Sequence, residues 1–416
     1  MISKKSAALG AVVLILVTAF LTAFLTIQVG TYIDIRNGNR VIVSKQDYQL
    51  LNTYYRKLET VRRDIESNYI EETNREDLFE GAIKGMVASL GDPYSYYLND
   101  EELEDFNIAT SGTYQGIGVS IEKSEDNLIM IFQVFKNSPA MEAGLLTGDK
   151  IIKVDGEDVD WSVYEQAVAR MKTGEPGSTV NITVLRDGEM IDYTVRRDIV
   201  ELPDLEYEML EDDIGYIWLY SFDGAAAKNF KNAIEDLKKK DMKGLVLDLR
   251  GNGGGLLEVC REIADVLLPE GLVVYSESRS GKRTEYKSDS EELGIPLVVL
   301  VNEYSASASE VLAGAVQDYG AGTIIGTTTY GKGVVQTMRP YRDGGALKLT
   351  TYKYFTPKGR DINQKGIEPD IKVEMTEEAK EFLKENPRES LPIQLDAPLL
   401  KGIEEIKLKL ERPAAQ

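Results

Sequence analysis

The chain has 416 residues, 43% hydrophobic and 28% charged, ordinary for globular protein and enough for two or three domains with real cores. Acidic residues number 69 against 48 basic, a net charge of −21, which argues against nucleic acid and against docking on anionic lipid, since both require basic patches. A single cysteine, Cys260, and no histidine exclude an internal disulfide framework and leave no zinc site, so no cofactor is expected.

At the N-terminus, Lys4 and Lys5 precede an uncharged run from Ser6 to Ile33. A bilayer needs about 20 apolar residues, so residues 1–33 read as a short cytoplasmic stub and a transmembrane anchor. The lysines stay inside, which places the rest of a single-pass chain on the extracytoplasmic side of the cell membrane. A cleaved signal peptide is the rival reading. It fits less well, because its apolar region is usually ~7–15 residues and ends in a small-x-small site.

Residues 34–106 read as a helical region. Tyr48, Leu51, Tyr55, Leu58 and Ile65 recur near the spacing of one helix face. A second helix is expected over Arg75–Leu90, stopped by Gly91-Asp92-Pro93, and Tyr94-Ser95-Tyr96-Tyr97 follows. These arms suggest a homodimer and carry no evident catalytic group.

Residues 107–198 change to short strands at Gly116–Ile121, Leu128–Phe135, Lys150–Val154, Asn181–Leu185 and Tyr193–Arg196, with a turn at Asp187-Gly188 and a helix at Trp161–Met171. Ser138-Pro139-Ala140 followed by Ala143-Gly144-Leu145 and Gly148-Asp149 resembles a PDZ domain. That resemblance places Gly116-Ile117-Gly118-Val119 in the carboxylate-binding loop. Backbone N–H groups exposed there can capture a free C-terminus while the next strand edge pairs with the peptide. Arg170, at the end of the helix, is a candidate sensor of the bound carboxylate.

Residues 199–375 alternate strands (Ile214–Phe222, Gly244–Leu249, Ile295–Val301, Thr323–Gly326) with helices (Ala225–Lys239, Leu256–Leu268, Ser309–Asp318). The fold class is therefore α/β layering in a multidomain α+β chain. The tail, 376–416, mixes short helices with proline joints and offers no chemistry.

Two strand-to-helix turns are suited to reaction. The first, Asp248-Leu249-Arg250-Gly251-Asn252-Gly253-Gly254-Gly255, lacks the Gly-Lys-Ser/Thr of a phosphate loop and reads better as an oxyanion site. In the second, Ser305, Ser307 and Ser309 alternate with alanine, more than one helix cap needs. A serine nucleophile needs a base, and without histidine that base must be a desolvated lysine. Lys332, set between Gly331 and Gly333, is the candidate, with the Gln336 amide placed to orient it. Cys260 sits on an apolar helix face and reads as core.

Asp92-Pro93-Tyr94-Ser95, the PDZ-like module, Asp248–Gly255, Ser305–Glu310 and Gly331-Lys332-Gly333-x-x-Gln336 occur in this order, and together they resemble the C-terminal processing peptidases. The family's nucleophile stands 25 residues before its lysine, and 332 − 307 = 25 selects Ser307. The resemblance assigns Ser307, Lys332 and Gln336 to catalysis, and the N–H groups of Ala308 and Gly253 to the oxyanion. It implies a crotonase-like β/α core with a PDZ insertion, and protein substrates bearing free apolar C-termini. A catalytically silent PDZ scaffold and a crotonase-type acyl-thioester enzyme are the alternatives.

Overall fold

The computed structural model describes residues 16–25, 44–289, 292–386 and 391–411. Of the apolar run Ser6–Ile33, residues 16–25 are helical and the remainder lies outside the described residues. Among the described residues no helix is long and apolar enough to cross a membrane.

The chain divides into two compact units, Met1–Gly85 and Met86–Gln416. In the first, helix α1 (Lys45–Asn68) starts on Ser44, whose hydroxyl accepts from Asp47 N at 3.1 Å. Tyr48, Leu51, Tyr55 and Leu58, read as one face of a helix, do fall on this helix and are all exposed. Helix α2 (Arg75–Ala88) follows and ends two residues earlier than expected, ahead of Gly91 at φ +64°.

The second unit opens with β1 (Tyr96–Leu98) and α3 (Asp100–Ser111), which begins in a capping box between Asn99 and Glu102 and was not read from the sequence. Strand β2 (Thr113–Gly116) leads into the inserted module: β3 (Val119–Lys123), β4 (Ile129–Val134), α4 (Pro139–Ala143), β5 (Lys150–Val154), β6 (Glu157–Asp158), α5 (Tyr164–Lys172), β7 (Thr179–Arg186) and β8 (Glu189–Arg196). Its antiparallel sheet runs β3-β4-β5-β7-β8, with β6 on β5. Asp187 and Gly188, both at positive φ, turn the β7–β8 hairpin. Strand β9 (Asp198–Glu201) pairs antiparallel with β2, so one two-stranded ribbon carries the chain into and out of the module.

The remainder comprises β10 (Leu205–Met209), β11 (Ile214–Leu219), α6 (Ala226–Lys239), β12 (Gly244–Asp248), α7 (Leu257–Leu267), β13 (Gly271–Ser278), β14 (Arg283–Ser288), β15 (Leu297–Val301), α8 (Ala308–Tyr319), β16 (Thr323–Gly326), β17 (Val334–Pro340), β18 (Ala346–Phe355), β19 (Ile371–Lys372), α9 (Glu377–Glu385) and α10 (Ala397–Glu411). The central sheet is β10-β11-β12-β15-β16-β19, parallel except for the β10–β11 pair. Every residue of β12 and β15 is buried, as a sheet covered on both faces demands. Alternation sorts the two faces. Leu245 and Leu247 join the core under α6, α7 and α8, whereas Val246 packs with Leu399 and Ile406 of α10.

A second sheet, β1-β18-β13-β14 with β17 on β18, was not read as strands from the sequence, although Gln336 of β17 was singled out. The tail also corrects the reading given to it. Asp396, just before α10, accepts from Arg250 Nη1 at 2.8 Å and Nη2 at 2.7 Å, and Arg250 also grips Asp248. Arg250 thus ties the first reactive turn to the tail. Asp396→Ala should leave this buried guanidinium half paired and cost about 3 kcal/mol, read as a lower urea midpoint at unchanged slope.

Candidate functional site

The site forms where the central sheet meets the second sheet. Ser307 ends the β15–α8 turn, and Gly253–Gly255 belong to the β12–α7 turn. Lys332 lies between β16 and β17, Gln336 on β17, and Lys348 and Tyr354 on β18. All of these line one cavity of about 560 Å³, together with Ala308, Phe106, Thr110, Tyr220, Ser221 and Asp223.

The three serines separate by their hydrogen bonds. Ser305 Oγ donates to Leu249 O at 2.8 Å and accepts from Asn302 N at 2.9 Å. Ser309 Oγ donates to Asn252 O at 2.9 Å. Both are fully buried and clamp the two reactive turns together. Ser307 alone faces the cavity, at φ +58° and ψ −113°, a backbone conformation that costs a serine roughly 1–3 kcal/mol. Strain of that kind at a strand-to-helix turn lifts a nucleophile clear of the chain.

What holds this backbone is Glu310, a fully buried carboxylate one turn into α8. Its Oε2 accepts from Ser307 N and from Lys332 N, each at 2.8 Å. Its Oε1 accepts from Gly331 N at 2.7 Å and Thr329 Oγ1 at 2.6 Å. One side chain therefore fixes both the serine turn and the lysine loop. The sequence reading quoted Glu310 but gave it no role; its position at N3 of a helix after a serine was the available signal.

Gly254, at φ +103°, lies directly against the serine turn. A Cβ built on it would come within 2.8 Å of Ser307 Cβ and 3.0 Å of Ala308 N. Its own N–H is taken by Asn252 Oδ1 at 2.8 Å. The N–H groups of Gly253 and Ala308 have no acceptor among the described residues, which leaves two donors at the cavity wall beside Ser307.

Lys332 Nζ lies 4.7 Å above the Tyr94 ring, so the Asp92-Pro93-Tyr94-Ser95 turn does reach the site. Burial pushes the lysine below its ordinary value and the charge of Lys348 adds to this, while Asp92 and Glu310 pull the other way. Lys348 Nζ donates to Tyr96 Oη at 2.9 Å and rests over the Phe106 ring at 4.7 Å. Tyr354, almost fully buried, donates its hydroxyl to Lys332 O and sets that hydroxyl beside Ser307. The sequence reading quoted Tyr94 in its motif without giving it a role, and Lys348 and Tyr354 were absent from it.

Gln336 lines the cavity, but its Nε2 donates to Thr350 Oγ1 at 3.1 Å rather than to the lysine. Thr350 N in turn donates to Ser95 Oγ at 2.9 Å. Arg170 is paired with Glu157 and does not line the cavity. Cys260 is buried, donates to Ala308 O at 3.3 Å, and has its thiol pushed up by burial. Among the described residues no cluster of acidic or cysteine side chains could hold a metal ion.

In the inserted module, Gly116–Val119 curve over Ser138, where a Cβ on Gly118 (φ +88°) would come within 2.2 Å of the serine Cβ. Ile117 O accepts from Ala140 N at 2.8 Å and Gly118 O from Phe135 N at 3.0 Å. The N–H groups of Gly118 and Val119 face the Tyr114 hydroxyl, which burial pushes up to about 12.

The model of peptidase family S41 matches residues 213–373, that of the PDZ domain 115–196, and that of the N-terminal domain of the activating protease CtpB 22–102. The carboxy-terminal processing protease CtpA of Bacillus subtilis is 36% identical over 370 residues, 88% of this chain and 78% of that protein. Its CtpB of the same organism is 36% identical over 324 residues, 76% of this chain and 67% of that protein. A solved S41-type structure from Bacteroides fragilis shares the fold at TM-score 0.52 and 18% identity, over 82% of this chain and 92% of that one.

Two outcomes test this geometry. Glu310→Gln should lower kcat by about 10²-fold with little change in KM, because a donor amide then faces the Ser307 and Lys332 N–H groups. Lys348→Met should raise the pKa of Lys332. If the neutral amine is the reactive form, the rising limb of the pH–rate profile then moves to higher pH.

Proposed function

The chain belongs to peptidase family S41 as a C-terminal processing serine peptidase with a PDZ domain, and from this we propose that it cleaves proteins through a Ser307–Lys332 dyad. The observation that carries the proposal is the strained, cavity-facing Ser307 sharing a cavity with a lysine biased toward its neutral form.

In this reading Lys332 Nζ takes the proton as Ser307 Oγ attacks the scissile carbonyl. The N–H groups of Ala308 and Gly253 receive the developing oxyanion. The lysine returns its proton to the leaving amine, and water hydrolyses the acyl-enzyme by the same route in reverse. Gln336 supports the lysine side of the cavity through Thr350. A silent scaffold would not need the strain at Ser307, and an acyl-thioester enzyme would have no use for a tail-binding module.

The PDZ loop Gly116–Val119 would take the substrate's free apolar C-terminus, with Arg170 as a sensor released from Glu157. Lys4 and Lys5 before the run Ser6–Ile33 favour a single-pass anchor with the peptidase outside the cytoplasm. The exposed apolar residues of α1 favour a homodimer through that arm.

The full chain should cleave an unfolded protein carrying an apolar tail. Ser307→Ala and Lys332→Ala should each lower kcat by roughly 10⁴-fold or more. Cleavage undiminished in Ser307→Ala would falsify the nucleophile assignment. Wild-type activity should rise with pH as Lys332 loses its proton, with no essential group titrating near the histidine value of about 6.5.

A further inference from the structure

The catalytic cavity holds one carboxylate that the dyad chemistry does not use. Asp223 lines the wall next to Ser221, Gly255, Leu256 and Leu257. Its Oδ1 is buried without a hydrogen-bond partner, and among the described residues it forms no ion pair with a lysine or arginine. Burial pushes this carboxyl up to about 6, with only weak help from Ser221 and the Leu256 N–H. An unsatisfied carboxylate costs free energy in the folded protein, and such a group in a cleft is a functional-site candidate.

Its position is fixed. Phe222 N donates to Gly254 O at 2.9 Å and Leu256 N to Phe222 O at 2.8 Å, so the Asp223 loop is pinned to the oxyanion turn. Asp223 Oδ1 lies 2.8 Å from a Cβ built on Gly255, just as Ser307 Cβ lies 2.8 Å from one built on Gly254. The nucleophile and the carboxylate therefore abut consecutive residues, about 3.8 Å apart at Cα. A substrate residue adjoining the scissile bond is within reach of both. Leu256, exposed, and Leu257 offer an apolar wall for a methylene stem ending at that carboxylate.

We propose that Asp223 is a specificity subsite that takes a lysine or arginine side chain of the substrate next to the scissile bond. The proposal rests on the peptidase reading of the same cavity and narrows its substrate class. The stem would lie along Leu256 and Leu257, and the cationic head would pair with the Asp223 carboxylate where it lines the cavity.

The test uses peptides with one apolar C-terminus and lysine, norleucine or glutamate placed in turn at the two positions on each side of the cleaved bond. At one position the wild-type chain should favour lysine over norleucine at least tenfold in kcat/KM. Asp223→Asn should bring that ratio close to one, and Asp223→Lys should favour glutamate. Should these variants be inactive, binding to Ser307→Ala decides, with the lysine peptide at least tenfold tighter than the norleucine peptide. Cleavage of all peptides without a lysine preference at any position overturns this inference alone. No cleavage of any peptide by the wild-type chain overturns the peptidase reading and this inference with it.

Discussion

The site depends on one buried carboxylate. Serine and lysine stand 25 residues apart, on different turns, and Glu310 is what both loops bond to. Four donors converge on it: the N–H groups of Ser307, Gly331 and Lys332 and the Thr329 hydroxyl. A buried anion tolerates desolvation only when its lone pairs are filled, and here they are. The bond to Ser307 N opposes the relaxation of a serine held at φ +58°, and the bond to Lys332 N fixes where the lysine side chain leaves its loop. Strain at Ser307 is thus sustained by satisfaction at its neighbour.

The lysine is balanced rather than simply desolvated. Burial and the Lys348 charge favour the neutral amine, whereas Asp92 and Glu310 favour the cation. The Tyr94 ring beneath the ammonium favours the cation as well. A base for serine has to hold both states within reach, because the same nitrogen must accept a proton and then release it. Tyr94 and Asp92 come from the turn before β1, and Lys348 from β18, to which β1 pairs. The region 34–106, read as carrying no evident catalytic group, thus contributes to the electrostatics of Lys332.

How much of this was legible follows the reach of each signal. The covered parallel strands β12 and β15 were readable, because burial on both faces writes a continuous apolar run. The glycine turn, the serine-alanine run and the glycine-flanked lysine stood out because their local sequences are unusual, whereas the choice of Ser307 among three serines rested on the resemblance's 25-residue spacing. The second sheet was not. Its strands β17 and β18 are half exposed and carry mixed side chains, so neither a run nor a clean alternation marks them. Glu310, Tyr94, Lys348 and Asp396 escaped for a different reason: each acts on a residue brought near only by the fold, and a lone charged or aromatic residue reads as surface or core. The Gln336 partner, Thr350, lay on that unread sheet. The α1 stripe was read as one helix face, and it forms a helix whose apolar residues are exposed, since periodicity predicts a face but not what covers it.

The loop that carries Asp223 also joins the two halves of the larger unit. Its next residue, Gly224, packs against Gly112 at the end of α3, where a Cβ on Gly112 would lie 2.9 Å from Gly224 Cα. Gly224 N donates to Thr110 O at 3.3 Å, and Leu202 N to Gly112 O at 2.7 Å. Backbone therefore touches backbone where the β2–β9 ribbon of the PDZ module meets the cavity wall. No flexible side chain stands between them to absorb a displacement. The same loop is bonded on its other side to the oxyanion turn through Phe222. A shift of the ribbon must either carry the wall of the catalytic cavity with it or break these contacts. The PDZ module and this wall of the cavity are, in this architecture, tied through three residues of one loop.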